Sequence, residues 1–361
     1  MAERLKDIFF THSSITSLAD AINAVYQEFD RTKFLDLIYA GEWENKALKE
    51  KMRHTTICMH DTLPASYPEA LEILIKVVPS VKGFEALTFP DYVQLYGTQD
   101  WERSLPALGY FTKFGSAEFA IRPFLAQDYQ SVMPYLFEWA ADEDENMRRL
   151  ASEGSRPRLP WGMKLQAFIN DPAPILPILE KLKNDESEMV RRSVANHLND
   201  ISKDNPQITL DIAERWYGES QETDWIVKHA CRGLLKSGNQ SALRLFGFGD
   251  PVNIKIQNFN ILPQNIRIGE KAILAFELEI SEPNETLVRL EYKVDYQKAK
   301  GKISGKVFQI SEKLFSPGAH KINKNHSFAD MSTRVHYPGI HEISIIVNGV
   351  EKGRVGIELS R

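Results

Sequence analysis

Residues 145–153 read ENMRRLASE, residues 187–198 read SEMVRRSVANHL, and residues 224–235 read DWIVKHACRGLL. Aligned on Met147, Val190 and Val227, each segment places a basic pair directly after the apolar anchor: Arg148/Arg149, Arg191/Arg192 and Lys228/His229. Small residues follow in all three. The anchors lie 43 and 37 residues apart. A recurrence of that length corresponds to one helical pair, which buries a core only by stacking on its neighbours. The pattern therefore predicts a HEAT-like repeat. Chance likeness among amphipathic helices is the competing account, but it leaves the agreement of anchor, basic pair and small residues unexplained.

Outward from these segments, residues 1–246 read as helix after helix. Apolar residues recur at three- and four-residue spacing, as in Leu71, Leu74, Ile75 and Val78. At 247–251 the texture changes. The run GFGDP reads as a linker, and the residues after it alternate with period two: Val252, Ile254 and Ile256, then 273–280, 287–294 and 343–347. About seven short strands punctuated by Gly and Pro predict an immunoglobulin-like sandwich, without the Cys–Trp–Cys signature of antibody domains. The expected chain is multidomain α plus β. An all-α HEAT-like solenoid spans 1–246, and an immunoglobulin-like β-sandwich spans 247–361.

The chain has 361 residues and a formal net charge of −5, which taken whole argues against a nucleic-acid binder. The charge is unevenly spread. Residues 251–361 hold 16 Lys+Arg against 12 Asp+Glu, whereas residues 1–147 hold 13 against 23. Between them, residues 148–236 are nearly balanced, at 14 against 13. The two cysteines, Cys58 and Cys231, give no disulfide framework and no CxxC knuckle. The N-terminus lacks an apolar signal region, and no stretch is long and apolar enough to span a bilayer, so a cytoplasmic protein is expected. No HExxH, GxxxxGK[ST], GxGxxG or GxSxG occurs, which disfavours zinc, nucleotide and serine-hydrolase chemistry. Neither a metal nor a cofactor is expected.

Three segments carry groups suited to chemistry. In RRLASEGSRPRLPW (148–161), Pro157 and Pro160 stiffen a turn bearing Arg156, Arg158 and Trp161. It reads as a rigid binding element, or as a structural turn in which Glu153 pairs with Arg149 and Trp161 packs beneath the loop. In SAEFAIRPF (116–124), Glu118 and Arg122 are four apart and would share a helix face as a simple ion pair. In VRRSVANHLND (190–200), Asn196 and Asp200 share a face, and Asn196 aligns with Glu153 in the repeat. These side chains either converge on one surface or sit on a solvated face.

Together with FPDYVQLYG (89–97), the segments SAEFAIRPF, RLASEGSRPRLPW and VRRSVANHLNDISK (190–203) resemble the AlkC branch of the HEAT-repeat DNA alkylation repair proteins. The likeness covers about residues 1–246, and some members carry an added C-terminal immunoglobulin-like domain. The resemblance implies a monofunctional DNA glycosylase. It would hydrolyse the N-glycosidic bond of cationic N3-alkylated bases, 3-methyladenine and 3-methylcytosine, in double-stranded DNA. It implies Glu118, Glu153 and Asp200 as the site acids, with Trp161 against the lesion. Asn196 and Asp204 lie near enough to Asp200 to be the relevant groups instead.

Such chemistry suits these residue types. A 3-alkylated base is already a cation and leaves without a general acid, so the barrier lies in the oxocarbenium-like sugar and the delivery of water. A carboxylate serves both. An aromatic face adds cation–π attraction of roughly 0.5–2 kcal/mol. An acidic site beside a polyanion needs surrounding cations. Arg148, Arg149, Arg156, Arg158, Lys164, Arg191, Arg192, Lys228 and Arg232 could supply them by contacting phosphates. In the sandwich, YQKAKGKISGK (296–306) places Lys298, Lys300 and Lys302 at an expected hairpin tip that would clamp DNA from the opposite side; a merely soluble lysine-rich loop is the plainer account. A monomer is expected. The rival reading is a non-enzymatic HEAT scaffold that binds DNA or a protein partner.

Overall fold

The structure, a computed structural model, describes residues 8–331 and 334–361; the Lys300 side chain lies outside the described residues. Two compact units divide it, Met1–Ala230 and Cys231–Arg361. The first is helical. In chain order its helices are α1 His12–Val25, α2 Arg31–Tyr39, α3 Leu48–His60, α4 Tyr67–Val77, α5 Thr88–Tyr96, α6 Trp101–Phe111, α7 Arg122–Trp139, α8 Glu145–Glu153, α9 Gln166–Asn170, α10 Leu176–Leu182, α11 Glu188–Ile201, α12 Pro206–Trp216 and α13 Gln221–Ala230. Side-chain oxygens of Thr11, Asp30, Asp100 and Asp144 accept first-turn amides and fix where α1, α2, α6 and α8 begin. Helix α7 starts only at Arg122, with Pro123 in its first turn, and breaks at Asp128, whose φ of −155° is extended. The Asp128 carboxylate then accepts the amides of Gln130 and Ser131 and restarts the helix.

The first two similar segments fall on α8 and α11, and the third begins on α13 and runs past its end at Ala230; α8 packs on α11, which packs on α13. Met147, Val190 and Val227 are buried between them. The first arginine of the basic pair is structural in two of the three. Arg148 donates through Nη1 to the carbonyls of Asp142 and Glu143, and Arg191 donates through Nη1 to those of Asp185 and Glu186. Each arginine thus ties down the loop that leads into its own helix.

The second unit opens with two short helices, α14 Arg232–Lys236 and α15 Gln240–Leu245. Between them Gly238, at φ +73°, lies so close to the Gly349 backbone that a Cβ would meet its carbonyl at 2.9 Å. Eight strands follow: β1 Ile254–Leu262, β2 Asn265–Arg267, β3 Lys271–Ile280, β4 Thr286–Gln297, β5 Ile303–Phe315, β6 Gly318–Ser327, β7 Gly339–Val347 and β8 Val350–Ser360. They form a three-stranded sheet, β1-β3-β6, and a five-stranded sheet, β2-β8-β7-β4-β5. All ladders are antiparallel except β2 with β8. Leu274, Phe276 and Leu278 of one sheet share a buried core with Leu290, Val294, Ile343 and Ile357 of the other, so the unit is a β-sandwich. The expected alternations lie in β1, β3, β4 and β7. Strands β5 and β6 expose most of their residues, which is why apolar alternation marks them weakly.

A polar string runs through this core. Arg334 Nη1 donates to the Tyr296 hydroxyl at 3.0 Å, and the Tyr296 and Tyr292 hydroxyls flank the two ring nitrogens of His326, each at 2.9 Å. With Tyr296 accepting from arginine, its own proton goes to His326 Nε2, and His326 Nδ1–H donates to Tyr292. A neutral imidazole thus satisfies both ring nitrogens. No helix among the described residues is long and apolar enough to cross a membrane.

Candidate active site

Three stretches of the helical unit converge: the turn before α7, the end of α8 with the loop after it, and the second half of α11. They build an alternating row of charge. Arg149 Nη2 donates to Glu118 Oε2 at 2.6 Å and lies 3.9 Å from Glu153 Oε1. Arg156 Nη1 donates to Glu153 Oε1 at 2.6 Å, and its Nε donates to Asp200 Oδ2 at 2.8 Å. Lys203 Nζ ends the row on Asp200 Oδ1 at 2.9 Å. Ser193, from α11, donates to Glu153 Oε2 at 2.6 Å, and Ser116 donates to Glu118 Oε2 at 3.0 Å. Glu153 and Asp200 are buried, at 7% and 2% exposure, and Glu118 is half-buried. Because each carboxylate is bonded to a cation, the row presents little net charge at a distance.

Beneath the row lies His197, fully buried. Its Nδ1–H donates to the Ser152 carbonyl at 2.9 Å. Burial, reinforced by Arg156, pushes its pKa down to about 3, so the ring stays neutral. Arg122 is buried as well. It donates to the Gly154 carbonyl at 2.9 Å and through both Nε and Nη2 to the Met163 carbonyl, so it pins both ends of the loop 154–163.

That loop projects Trp161. Its side chain is 75% exposed and its φ is +64°, a left-handed conformation that bulky residues rarely adopt. From the other side, Lys49 Nζ on α3 donates to the Trp161 carbonyl at 3.0 Å. Strain of this kind, held in place by surrounding bonds, recurs at ligand-binding positions.

Two structural expectations need correction. Glu118 does not pair with Arg122: it lies in a turn ahead of the helix, and its partner is Arg149. Trp161 does not pack beneath its loop. Glu153 approaches Arg149 but is bonded more closely to Arg156. Of the groups near Asp200, Asn196 meets His229 Nε2 at 3.1 Å, and Asp204 receives Arg158 through Nε and Nη2 at 2.5 and 2.6 Å. Asp200 alone joins the row.

The basic candidates fall into distinct settings. Arg148 and Arg191 hold loops, and Arg149 and Arg156 stand between the acids. Arg192 is exposed beside Glu188, and Lys164 is exposed near Trp161 in sequence. Lys228 lies on α13 and Arg232 opens α14. Lys298 and Lys302 bracket the tight link between β4 and β5. Ser193, His197, Lys203 and Lys49 went unread in the sequence, and Arg122 was read only as a partner for Glu118. Only Lys203, three residues after Asp200 in the turn that ends α11, left a signal there.

The chain has close counterparts. The family described as DNA alkylation repair enzyme matches residues 110–234, and the one described as Uncharacterised protein YhaZ, C-terminal Ig-like domain matches residues 255–361. The Uncharacterized protein YhaZ of Bacillus subtilis (strain 168) is 44% identical over 356 residues, covering 98% of this chain and 99% of its own. The structure of the Pseudomonas fluorescens alkylpurine DNA glycosylase AlkC, bound to DNA containing an abasic site analog, superposes with a TM-score of 0.94 at 40% identity. It covers 99% of this chain and 100% of its own. The chain belongs to the AlkC family of DNA alkylation repair proteins. This AlkC-family member carries the C-terminal Ig-like domain as well as the helical unit. The row of acids, Arg122 and Trp161 all lie inside the stretch matched by the alkylation repair family.

Proposed function

We propose that the protein is a monofunctional DNA glycosylase that releases cationic N3-alkylated bases, 3-methyladenine and 3-methylcytosine, from double-stranded DNA. The observation that carries this reading is Trp161, exposed and held in a strained turn within one loop of the buried acids. The indole face offers cation–π attraction to a charged base. Glu118, Glu153 and Asp200 supply the carboxylate that stabilises an oxocarbenium-like sugar and orients water. The arginines between them let a polyanion approach the acids without net repulsion. Under this reading the three stacked helices are part of a HEAT-like solenoid. Lys164, Arg192, Lys228, Arg232 and the hairpin lysines Lys298 and Lys302 contact phosphates.

Methylated duplex DNA tests this. The purified protein is expected to release 3-methyladenine without added metal or nucleotide and to leave abasic sites. Glu153→Gln is expected to slow release by about 100-fold or more, the scale of losing one transition-state stabiliser, while binding to an abasic-site duplex persists. A folded protein that binds duplex but releases no base is a scaffold, and the enzyme reading is then wrong.

A further inference from the structure

Helix α3 carries an open depression of about 430 Å³ with Met52 and Ile57 at its apolar wall and Lys46, Lys49, Glu50, Arg53 and His54 around it. The alkylation repair family match does not reach this helix, since it begins at residue 110. Three cations face one acid here. Glu50 is already engaged, accepting the Ala47 amide at 2.7 Å, and His54 Nε2 is turned toward the carbonyls of Leu37 and Ile38. Arg53 Nη2 is held by Asp91 at 2.8 Å, while its buried Nε has no partner among the described residues. The Lys46 ammonium makes no ion pair or side-chain hydrogen bond among the described residues. Lys49 sits 4.2 Å over the Phe119 ring and donates one of its three N–H bonds to the Trp161 carbonyl.

An open, cation-lined depression with spare donors suits one tetrahedral oxyanion. Lys49 joins it directly to the Trp161 turn. We propose that the pocket seats a single phosphodiester of the lesion-bearing strand on Lys46, Lys49 and Arg53, and that Lys49 is a positioning residue linking that phosphate to Trp161. The proposal rests on the glycosylase reading above. It adds to it a phosphate site in the N-terminal helices and a reason for the Lys49–Trp161 bond.

The test uses the full chain and a duplex carrying an abasic-site analogue. Wild type is compared with Lys46→Gln, Lys49→Gln and the double variant across salt concentrations, with thermal melts to confirm folding. Losing one phosphate contact is expected to flatten the slope of log affinity against log salt by about 0.9. One methylphosphonate, moved along the strand, is expected to weaken wild type at a single position and to leave the double variant unaffected there. In single turnover on methylated duplex, Lys46→Gln should alter binding alone, whereas Lys49→Gln should also slow release from the bound complex. An unchanged slope in the double variant, or a slope that falls with no single sensitive phosphate, overturns the site. A Lys49→Gln effect confined to binding overturns the link to Trp161. If wild type itself neither binds the duplex nor releases base, the glycosylase reading has failed instead.

Discussion

The Arg122 guanidinium is fully buried and bonded to carbonyl oxygens rather than to a carboxylate. Burial, with Arg156 nearby, lowers its pKa to about 10, yet it remains a cation at neutral pH. Arg122→Met would strand the carbonyls of Gly154 and Met163, at about 1–3 kcal/mol for each unsatisfied group. Relief of the buried charge offsets part of this. The expected net loss is about 2–4 kcal/mol in urea unfolding, with an unchanged m-value and slower base release. Arg122→Lys should recover little, because one ammonium cannot span two carbonyls as the guanidinium fork does. Unfolding at the wild-type midpoint would sink this account. In the sequence, Arg122 looked like half of an i,i+4 ion pair. Pro123 starts the helix at Arg122 itself, so that spacing had no helix to act on. Glu153 and Trp161 were legible because two prolines within 153–161 announce a fixed turn. Of the partners of Glu153, Arg156 is only three residues along the chain, whereas Ser193 depends on how α11 packs, which local spacing does not encode.

Helix stacking depends on one carboxylate at the entry to α11. Asp185 receives Arg148 Nε and Nη2 at 2.6 and 3.0 Å and also accepts the Ser187 amide at 2.9 Å, while its own carbonyl accepts from Arg191. It fastens α8 to α11. Asp185→Ala leaves Arg148, only 11% exposed at its side chain, without that counterion, so a loss of about 3–5 kcal/mol is expected from chemical denaturation. Arg192→Ala is the control. Its partner Glu188 is 67% exposed, and the change should stay within about 1 kcal/mol. Equal effects would show that Asp185 has no special place in the stack. The repeated basic pairs thus had a sequence signature whose meaning was mixed. The period is visible because the same helix recurs, but a loop carbonyl has no sequence letter, so the structural duty of Arg148 and Arg191 stayed hidden.

Across the whole molecule, each unit buries a histidine that must stay neutral. His197 is shifted down to about 3 by burial first and then Arg156, and His326 to about 4 by burial first and then Arg334, His336 and Lys306. A folded pKa below the unfolded value near 6.5 gives stability that is complete above about 6.5 and declines as pH falls toward the folded value. Each histidine is expected to cost about 1.4 kcal/mol per pH unit below that point. Denaturation midpoints between pH 7 and 5 test this. The His326→Gln variant should show a shallower decline than wild type, and parallel declines would refute it. At this scale the change from helix to strand was readable, because helical period gives way to alternation near residue 250, while the two compact units divide earlier, between Ala230 and Cys231, so two short helices go with the sandwich. The whole-chain charge of −5 averages over stretches of opposite sign, so it describes no single surface.

The Trp161 turn has a further consequence, one of timing. Its left-handed backbone is fixed by Arg122 beneath and Lys49 alongside before any DNA arrives, so the expense of ordering it falls on folding and not on the encounter. Association then needs no slow rearrangement of this loop. On the glycosylase reading proposed above, discrimination between a damaged and an intact site passes to residence: both are met at similar rates, and only the cationic base is kept long enough to react.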